Sequence, residues 1–400
     1  MSKRETKQKK ALIIASMASM IDNFNRKNIE ILSDMGYEIT LAANFKSEDS
    51  NSLEKNQRFY SEMKAKGYKV VHIDFSRKLS NIGLQMRSIK QVKKLMERRF
   101  DIVHCHSPIC SIITRLSFQK YRKAYNSKLL YTAHGFHFYK GAPKKNWLLY
   151  YPAEKICSYM TDTLITINKE DYALAKKKMK AKNVAYLPGI GVDLKKFQVT
   201  ARGDKENDLR LELECDSDDI MLLSVGELSE RKNHEVVIKA LAEMRKNKLP
   251  YAKNIKYYIV GKGHLEQYLN DLVCQCHLES SVKLLGFRDD VYNLLSAADI
   301  FVFPSVQEGL PVALMEAMAS GLPCIASKIR GNTDLIDDKG GEMFEPSSVD
   351  EIVSALEKLL ICSSENLKTM GNHNADIVKN FSQDVVYSKT IKIYDELIRQ

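Results

Sequence analysis

No run of apolar residues in this chain is long enough to cross a bilayer. The longest, Ala11 to Met20 and Ile300 to Pro304, fall short of the ~20 residues that a spanning helix needs. The opening MSKRETKQKK is too polar for a secretory signal. Cysteine is sparse: eight residues scattered over 400 lack the dense, even spacing of a disulfide scaffold, as expected in a reducing compartment. Repeats of solenoid period and low-complexity segments are missing too. These absences describe a cytosolic chain. At 44% apolar and 28% charged its composition is ordinary for a globular protein and excludes disorder, collagen and coiled coil. With ~150 residues to a usual domain, the length predicts two domains, or one unusually large one, with a substantial core.

Acid is scarce in one half. Residues 1–200 hold 38 Lys and Arg against 17 Asp and Glu, a net of +21, while residues 201–400 hold 23 against 33, a net of −10. The overall charge of +11 hides this asymmetry, which suggests that the first half faces a polyanion, either nucleic acid or an anionic membrane surface. No zinc finger, ribonucleoprotein signature or Gly-x-x-Gly clamp supports nucleic acid.

Both halves repeat one theme, a short β-branched apolar run followed by a turn and ten to fifteen residues of helical pattern. The runs extend from Ala11-Ala15 to Val184-Leu187 in the first half and from Ile220-Val225 to Gly341-Phe344 in the second. Helical patterns lie between them, among them Asn23-Met35, Met86-Arg99, His234-Arg245 and Val312-Ser320. Alternating strands and helices predict an α/β chain of two doubly wound, Rossmann-like domains facing each other across a cleft, with ligands beyond the carboxyl ends of the strands. The polar stretch Asp193 to Asp219 reads as a linker, placing the boundary between residues 200 and 201.

The richest segment runs from Phe301 to Pro323. A strand ends at Pro304, a tight loop carries Glu308 and Gly309, and a helix opens near Leu310 or Pro311 and stops at Gly321. A helix N-terminus at a strand's carboxyl end offers free N–H groups and a positive dipole end to an anion. Glu308 and Glu316 accept hydrogen bonds from hydroxyls, which suits ribose and hexose groups. At the start of the acidic half, Leu222 to His234 reads as a strand, a turn at Gly226 and the basic pair Arg231-Lys232, able to neutralise a diphosphate. In the basic half, Tyr131 to Tyr139 places two histidines and four aromatic rings after a strand, groups suited to sugars.

Two glutamates with seven residues between them, within Glu308-Gly309-Leu310-Pro311 and Glu316-Ala317-Met318-Ala319-Ser320-Gly321-Leu322-Pro323, resemble the donor signature of the GT-B retaining glycosyltransferases of family 4. The resemblance implies that Glu308 contacts the donor sugar and Glu316 the ribose, with the N–H groups of Gly309 and Leu310 near the sugar and diphosphate. It implies a phosphate role for Lys232 with Arg231 beside it, a strand-end turn at Gly261, main-chain base contacts near Phe287 and Arg288, and a donor-sugar contact for His134. A packing role for Phe287 is open as well. Catalysis falls to His134, Glu308 and Lys232, and the acceptor side to His106, Phe136, His137, Phe138 and Tyr139. Two departures stand out: Glu227 occupies the place of an Arg that usually follows Gly226, and Ser16 to Asn23 replaces a Gly-Gly loop. Asp22 and Asn23 cap the first helix there, touch the acceptor, or both.

Metal is not implied. His104-Cys105-His106 and Cys274-x-Cys276-His277 lack a matching ligand pair, and Asp216-Ser217-Asp218-Asp219 precedes its strand, so it reads as a turn. No cofactor is called for, because the nucleotide sugar, with UDP the favoured nucleotide, is a substrate. The implied reaction transfers its sugar to a lipid-linked saccharide in capsule, exopolysaccharide or cell-wall glycan assembly. The alternatives are a 2-epimerase of the same fold and an inactive basic protein that binds membrane or RNA. The implied domains are 1–200 for the acceptor, 201–382 for the nucleotide sugar, and a helix in 383–400 packed back on the first. The helix from Met86 to Arg99, with Lys144-Lys145 and Lys176-Lys177-Lys178, is either a lipid-binding face or a core-facing helix with a solvated basic back. The first reading places the chain on the inner face of the cell membrane.

Overall fold

The computed structural model describes residues 8–46, 53–76, 80–197 and 203–399. The opening heptapeptide and the 200/201 boundary lie outside them. Two compact units are present, Met1–Ile190 with Val386–Gln400, and Gly191–Val385.

Among the described residues of the first unit are β1 (Lys10–Met17), β2 (Glu38–Asn44), β3 (Lys69–His72), β4 (Ile102–His106), β5 (Lys128–Ala133), β6 (Thr163–Thr166) and β7 (Asn183–Tyr186). They pair in parallel in the order β3-β2-β1-β4-β5-β6-β7. The second unit holds β8 (Ile220–Val225), β9 (Ile255–Val260), β10 (Val282–Gly286), β11 (Ile300–Phe303), β12 (Cys324–Ser327) and β13 (Gly341–Phe344). Their order, β10-β9-β8-β11-β12-β13, is again parallel. Each sheet reverses its winding beside its first strand, at β1/β4 and at β8/β11, the position where an open parallel sheet leaves a crevice for ligands.

An acidic residue locks three of the pairings. Asp101, Asp162 and Asp299 stand directly before β4, β6 and β11, and each accepts a backbone N–H of the adjoining strand, from Lys10 at 2.7 Å, Leu129 at 2.9 Å and Met221 at 2.7 Å. The apolar runs fix which residues are buried, and these carboxylates fix where each ladder begins. Asp299 also binds Arg210 at 3.0 Å, and Arg210 reaches the carbonyls of Asp216 and Asp219. The stretch read as a linker therefore contains a helix, Asp204–Glu212, anchored by a buried arginine. Asp216 to Asp219 form a turn, with the Asp219 carboxylate accepting the N–H of Asp216.

Other elements differ from their sequence patterns for local reasons. The first helical pattern is two helices, Ala18–Phe24 and Arg26–Asp34, broken at Asn25, whose side chain bonds the Met20 carbonyl at 2.8 Å. Asp22 lies inside the first of these, paired with Arg26 at 2.6 Å, so it caps nothing; the cap position is Met17. Asn23 is exposed and is likewise no cap. The basic helix, Ile82–Met96, buries Val92, Leu95 and Met96 in the core. Its C-terminal half is core-facing, while Ile82 and Met86 in its first half stay exposed. The final helix, Gln383–Arg399, packs Val386, Ile393, Tyr394 and Leu397 into the core of the first unit, against β1, β2 and β4.

Leu397 is fully buried, so Leu397→Ala should destabilise the first unit by about 2–5 kcal/mol. Amide exchange in β1 and β4 should accelerate accordingly; unchanged exchange would show that the helix is dispensable.

Candidate functional site

In the second unit the carboxyl ends of the strands are laced together by main chain. The N–H of Gly226 donates to Val260 and that of Gly261 to Gly286, at 2.9 and 2.8 Å. Gly261 has φ +148°, and a Cβ there would lie 1.8 Å from the Gly226 carbonyl, so no side chain fits this turn. Beyond Gly226 the chain carries Arg231 and Lys232 back over the end of β11. The N–H of Val306 donates to the Arg231 carbonyl at 2.9 Å, and the Asn233 amide donates to Pro304 and Pro346 at 3.1 and 2.8 Å. The basic pair is thus fixed by backbone, not carried on a mobile arm.

Both cations meet one carboxylate. Glu308 Oε1 lies 2.8 Å from Lys232 Nζ and 2.9 Å from the Arg231 guanidinium. The side chains of Glu308 and Lys232 are only 10% and 12% exposed. Lys232 Nζ also lies 4.6 Å over the Phe303 ring. Burial pulls the Lys232 ammonium below its ordinary pKa, and Glu308 opposes the shift. Removing the Glu308 carboxylate would leave the buried Lys232 ammonium without its counter-ion. Arg330, which the sequence reading missed, donates to the Glu308 carbonyl at 3.1 Å and so holds the loop from beneath. Gly331 beside it allows that approach, since a Cβ there would meet the Gly309 carbonyl at 2.4 Å. A basic residue and a glycine just after a strand were the available signal.

Glu316 stands in the helix Val312–Ala319 that opens beyond this loop. Its carboxylate has no hydrogen-bond partner among the described residues, and burial raises its pKa to about 7, with Lys196 pulling the other way. Leu310 is buried at the start of the same turn. Phe287 and Arg288 follow β10 at the same end of the sheet. The Phe287 ring is 73% exposed, which removes the packing reading, and the Arg288 guanidinium is clamped by Asp290 at 2.6 Å, leaving its main chain for other contacts.

In the first unit, β4 and β5 end in a histidine cluster. His106 Nδ1 lies 3.2 Å from His134 Nε2, and the rings of His104 and His106 are 4.2 Å apart. His104 is held between Tyr394 of the final helix at 2.7 Å and Thr132 at 2.8 Å. Tyr394, 290 positions along the chain, could not be foreseen. Burial lowers His104 to about 3 and His134 to about 4, and takes His106 well below its ordinary value. All three are neutral at physiological pH. The Nε2 of His106 is buried without a partner, a smaller penalty for a bare acceptor than for an N–H. His106 Nδ1 therefore donates to His134 Nε2, which leaves the proton of His134 on Nδ1.

The aromatic run that follows divides into two groups. Phe136 and Phe138 are buried and stacked 4.8 Å apart in the core; their assignment to the acceptor side is corrected, because neither ring presents a face to a ligand. His137 and Tyr139 stay partly exposed. No group of three metal-ligating side chains converges among the described residues.

Comparison with known proteins follows this geometry. Residues 205–376 match the family described as Glycosyl transferases group 1, and residues 14–168 match Glycosyl transferase 4-like. The chain is 34% identical over 308 residues to the Bacillus subtilis (strain 168) protein named glycosyltransferase EpsD, covering 76% of this chain and 79% of the relative. It is 33% identical over 316 residues to the UDP-Gal:alpha-D-GlcNAc-diphosphoundecaprenol alpha-1,3-galactosyltransferase of Escherichia coli, covering 75% and 78%. Among solved structures, Anabaena Alr3699/HepE in complex with UDP and glucose aligns with a TM-score of 0.74 over 97% of this chain and 100% of that one, at 16% identity, a likeness of fold. With two parallel α/β sheets of the GT-B fold and these relatives, the chain belongs to the group 1, family 4-like glycosyltransferases.

Proposed function

We propose that the protein is a retaining glycosyltransferase that moves a sugar from a UDP donor to a lipid-linked saccharide during capsule, exopolysaccharide or cell-wall glycan assembly. The observation that carries this reading is the shared grip of Arg231 and Lys232 on Glu308 at the carboxyl ends of β8 and β11. Two cations set on rigid backbone suit a diphosphate better than one carboxylate does. When the donor binds, its diphosphate takes the cations and Glu308 turns to the sugar hydroxyls. As the sugar departs, charge grows on UDP, and Lys232, Arg231 and the N–H groups opening the helix Val312–Ala319 offset it. The fixed cations make a metal unnecessary for that step. Glu316 accepts from the ribose.

The names of relatives support the substrate classes. The Escherichia coli relative is named for a UDP-galactose donor and a diphosphoundecaprenol-linked acceptor, and the HepE structure contains UDP. In the first unit, the neutral His134 presents Nδ1–H as a donor to a sugar hydroxyl, and His106, His137 and Tyr139 serve the acceptor. Work on a lipid-linked acceptor places the enzyme against the anionic inner face of the cell membrane. Among the described residues no helix is long and apolar enough to cross it.

A thermal-shift screen of nucleotide sugars tests the donor class directly. A ligand near 100 times its dissociation constant should stabilise by about 2.7 kcal/mol, and Lys232→Ala or Glu316→Ala should reduce transfer by about a hundredfold or more with the fold retained. Full activity in both variants, or interconversion of a UDP-sugar supplied without acceptor, would overturn the reading.

Glu316 also makes a prediction of opposite sign for stability. Its folded pKa of about 7 lies above the ordinary 4.5, so the native state binds the proton more tightly and loses stability as pH rises through that interval. Glu316→Gln should therefore be more stable than wild type by about 1–2 kcal/mol at pH 8, after allowance for solvent, and equal to it below pH 4.5. Denaturant melts across pH, beside donor titrations in which the same variant binds poorly, check both halves.

A further inference from the structure

The basic helix Ile82–Met96 commits Val92, Leu95 and Met96 to the core, yet another helix leaves its apolar side chains outside. In Lys144–Ser158 the outward positions are Lys145, Leu148, Leu149, Pro152 and Ile156, followed by Tyr159 at the cap, three or four residues apart and so on one face. Leu148 is 79% exposed, Leu149 56%, Ile156 61% and Tyr159 63%. Core packing does not explain four large apolar side chains in one exposed row. The inward face is well used: Trp147 and Tyr151 pack edge-on to Phe138 at 5.6 and 5.4 Å, and Glu154 is buried against Arg115 at 2.7 Å.

The charge around this row has one sign. Lys144, Lys145 and Lys155 come from the helix itself, and the Lys155 ammonium donates to the carbonyl of Lys178, which brings in the end of the helix Lys169–Lys178 with its Lys176, Lys177 and Lys178. Of the neighbouring acids, Glu154 and Asp171 are turned inward to Arg115 and Asn168, and Glu170 accepts the N–H of Lys140. An apolar centre within a lysine rim is complementary to an anionic lipid surface, with acyl chains beneath and phosphates at the edge. A second copy of the chain, paired about a two-fold axis, would bring lysine rim against lysine rim.

We propose that the helix Lys144–Ser158 lies flat on an anionic bilayer, with Leu148, Leu149, Ile156 and Tyr159 entering the headgroup boundary. This inference rests on the lipid-linked acceptor reading and gives it a location. The buried side of the same helix carries the candidate acceptor loop, with His137 against Tyr150 at 4.5 Å and the Tyr139 carbonyl accepting from the Trp147 indole at 3.3 Å. One helix thus places the acceptor residues a helix width from the membrane that supplies the acceptor.

Co-sedimentation with phosphatidylcholine vesicles, with and without phosphatidylglycerol, tests it. Wild type should pellet with the anionic vesicles and be released by salt. The pair Leu148→Glu with Ile156→Glu should weaken binding about tenfold or more, and the pair Lys144→Ala with Lys145→Ala should do so to a similar degree. The thermal shift with UDP should be the same in all three proteins, because none of these residues belongs to the donor site. Wild type left in the supernatant, or the apolar pair pelleting as well as wild type, would overturn the proposal. So would a dimer seen by light scattering that Leu148→Glu with Ile156→Glu dissolves. If vesicle binding behaves as stated but wild type fails to glycosylate a lipid-linked acceptor, the docking face stands and the acceptor reading falls.

Discussion

The carboxylate of Glu308 holds two cations, the Lys232 ammonium where water scarcely reaches and the Arg231 guanidinium at the half-exposed rim. Everything around it serves that arrangement. The switch in strand order opens a gap beside β8, Gly226 and Gly261 bring the strand ends close enough to close its floor, and Asn233 and Val306 pin the basic pair by main-chain bonds. A buried ammonium alone would be costly, and so would a buried carboxylate. Together they form a mutually neutralised pair.

On the proposed function, the same economy lets a half with a net of −10 hold a diphosphate. Net charge acts at long range through salt, whereas Lys232, Arg231 and the helix N-terminus act at contact distance in a poorly screened pocket. The basic half shows the converse. Burial keeps His104, His106 and His134 neutral, so they add nothing to the positive charge that surface lysines and arginines carry.

The strands were legible because a parallel strand buried on both faces is a continuous apolar run; Ile220–Val225 and Ile300–Phe303 show it plainly. The family was legible in the segment from Glu308 to Pro323 because its spacing is long and unusual. Contacts set by tertiary structure were not. Nothing local marks Asn25 as the break between two helices, since its side chain competes for a carbonyl only once the turn has formed. His137 and Phe138 are adjacent aromatic residues, yet Phe138 is core, packed on Trp147 and Tyr151, and His137 stays partly exposed beside Tyr150. The basic helix and the exposed helix both show apolar residues at helical spacing, and only burial tells which stripe the core consumes.

The central claim is that Glu308 keeps the phosphate cations in place and yields them to the donor. Calorimetric titration of wild type and Glu308→Gln with UDP and with the cognate UDP-sugar tests it most directly. The variant should bind UDP at least as tightly as wild type, because the competing carboxylate is gone, and bind the UDP-sugar less tightly, because the sugar contact is gone. Equal loss of both ligands would contradict the account, since Glu308 would then be holding the pocket together and not standing in for the diphosphate.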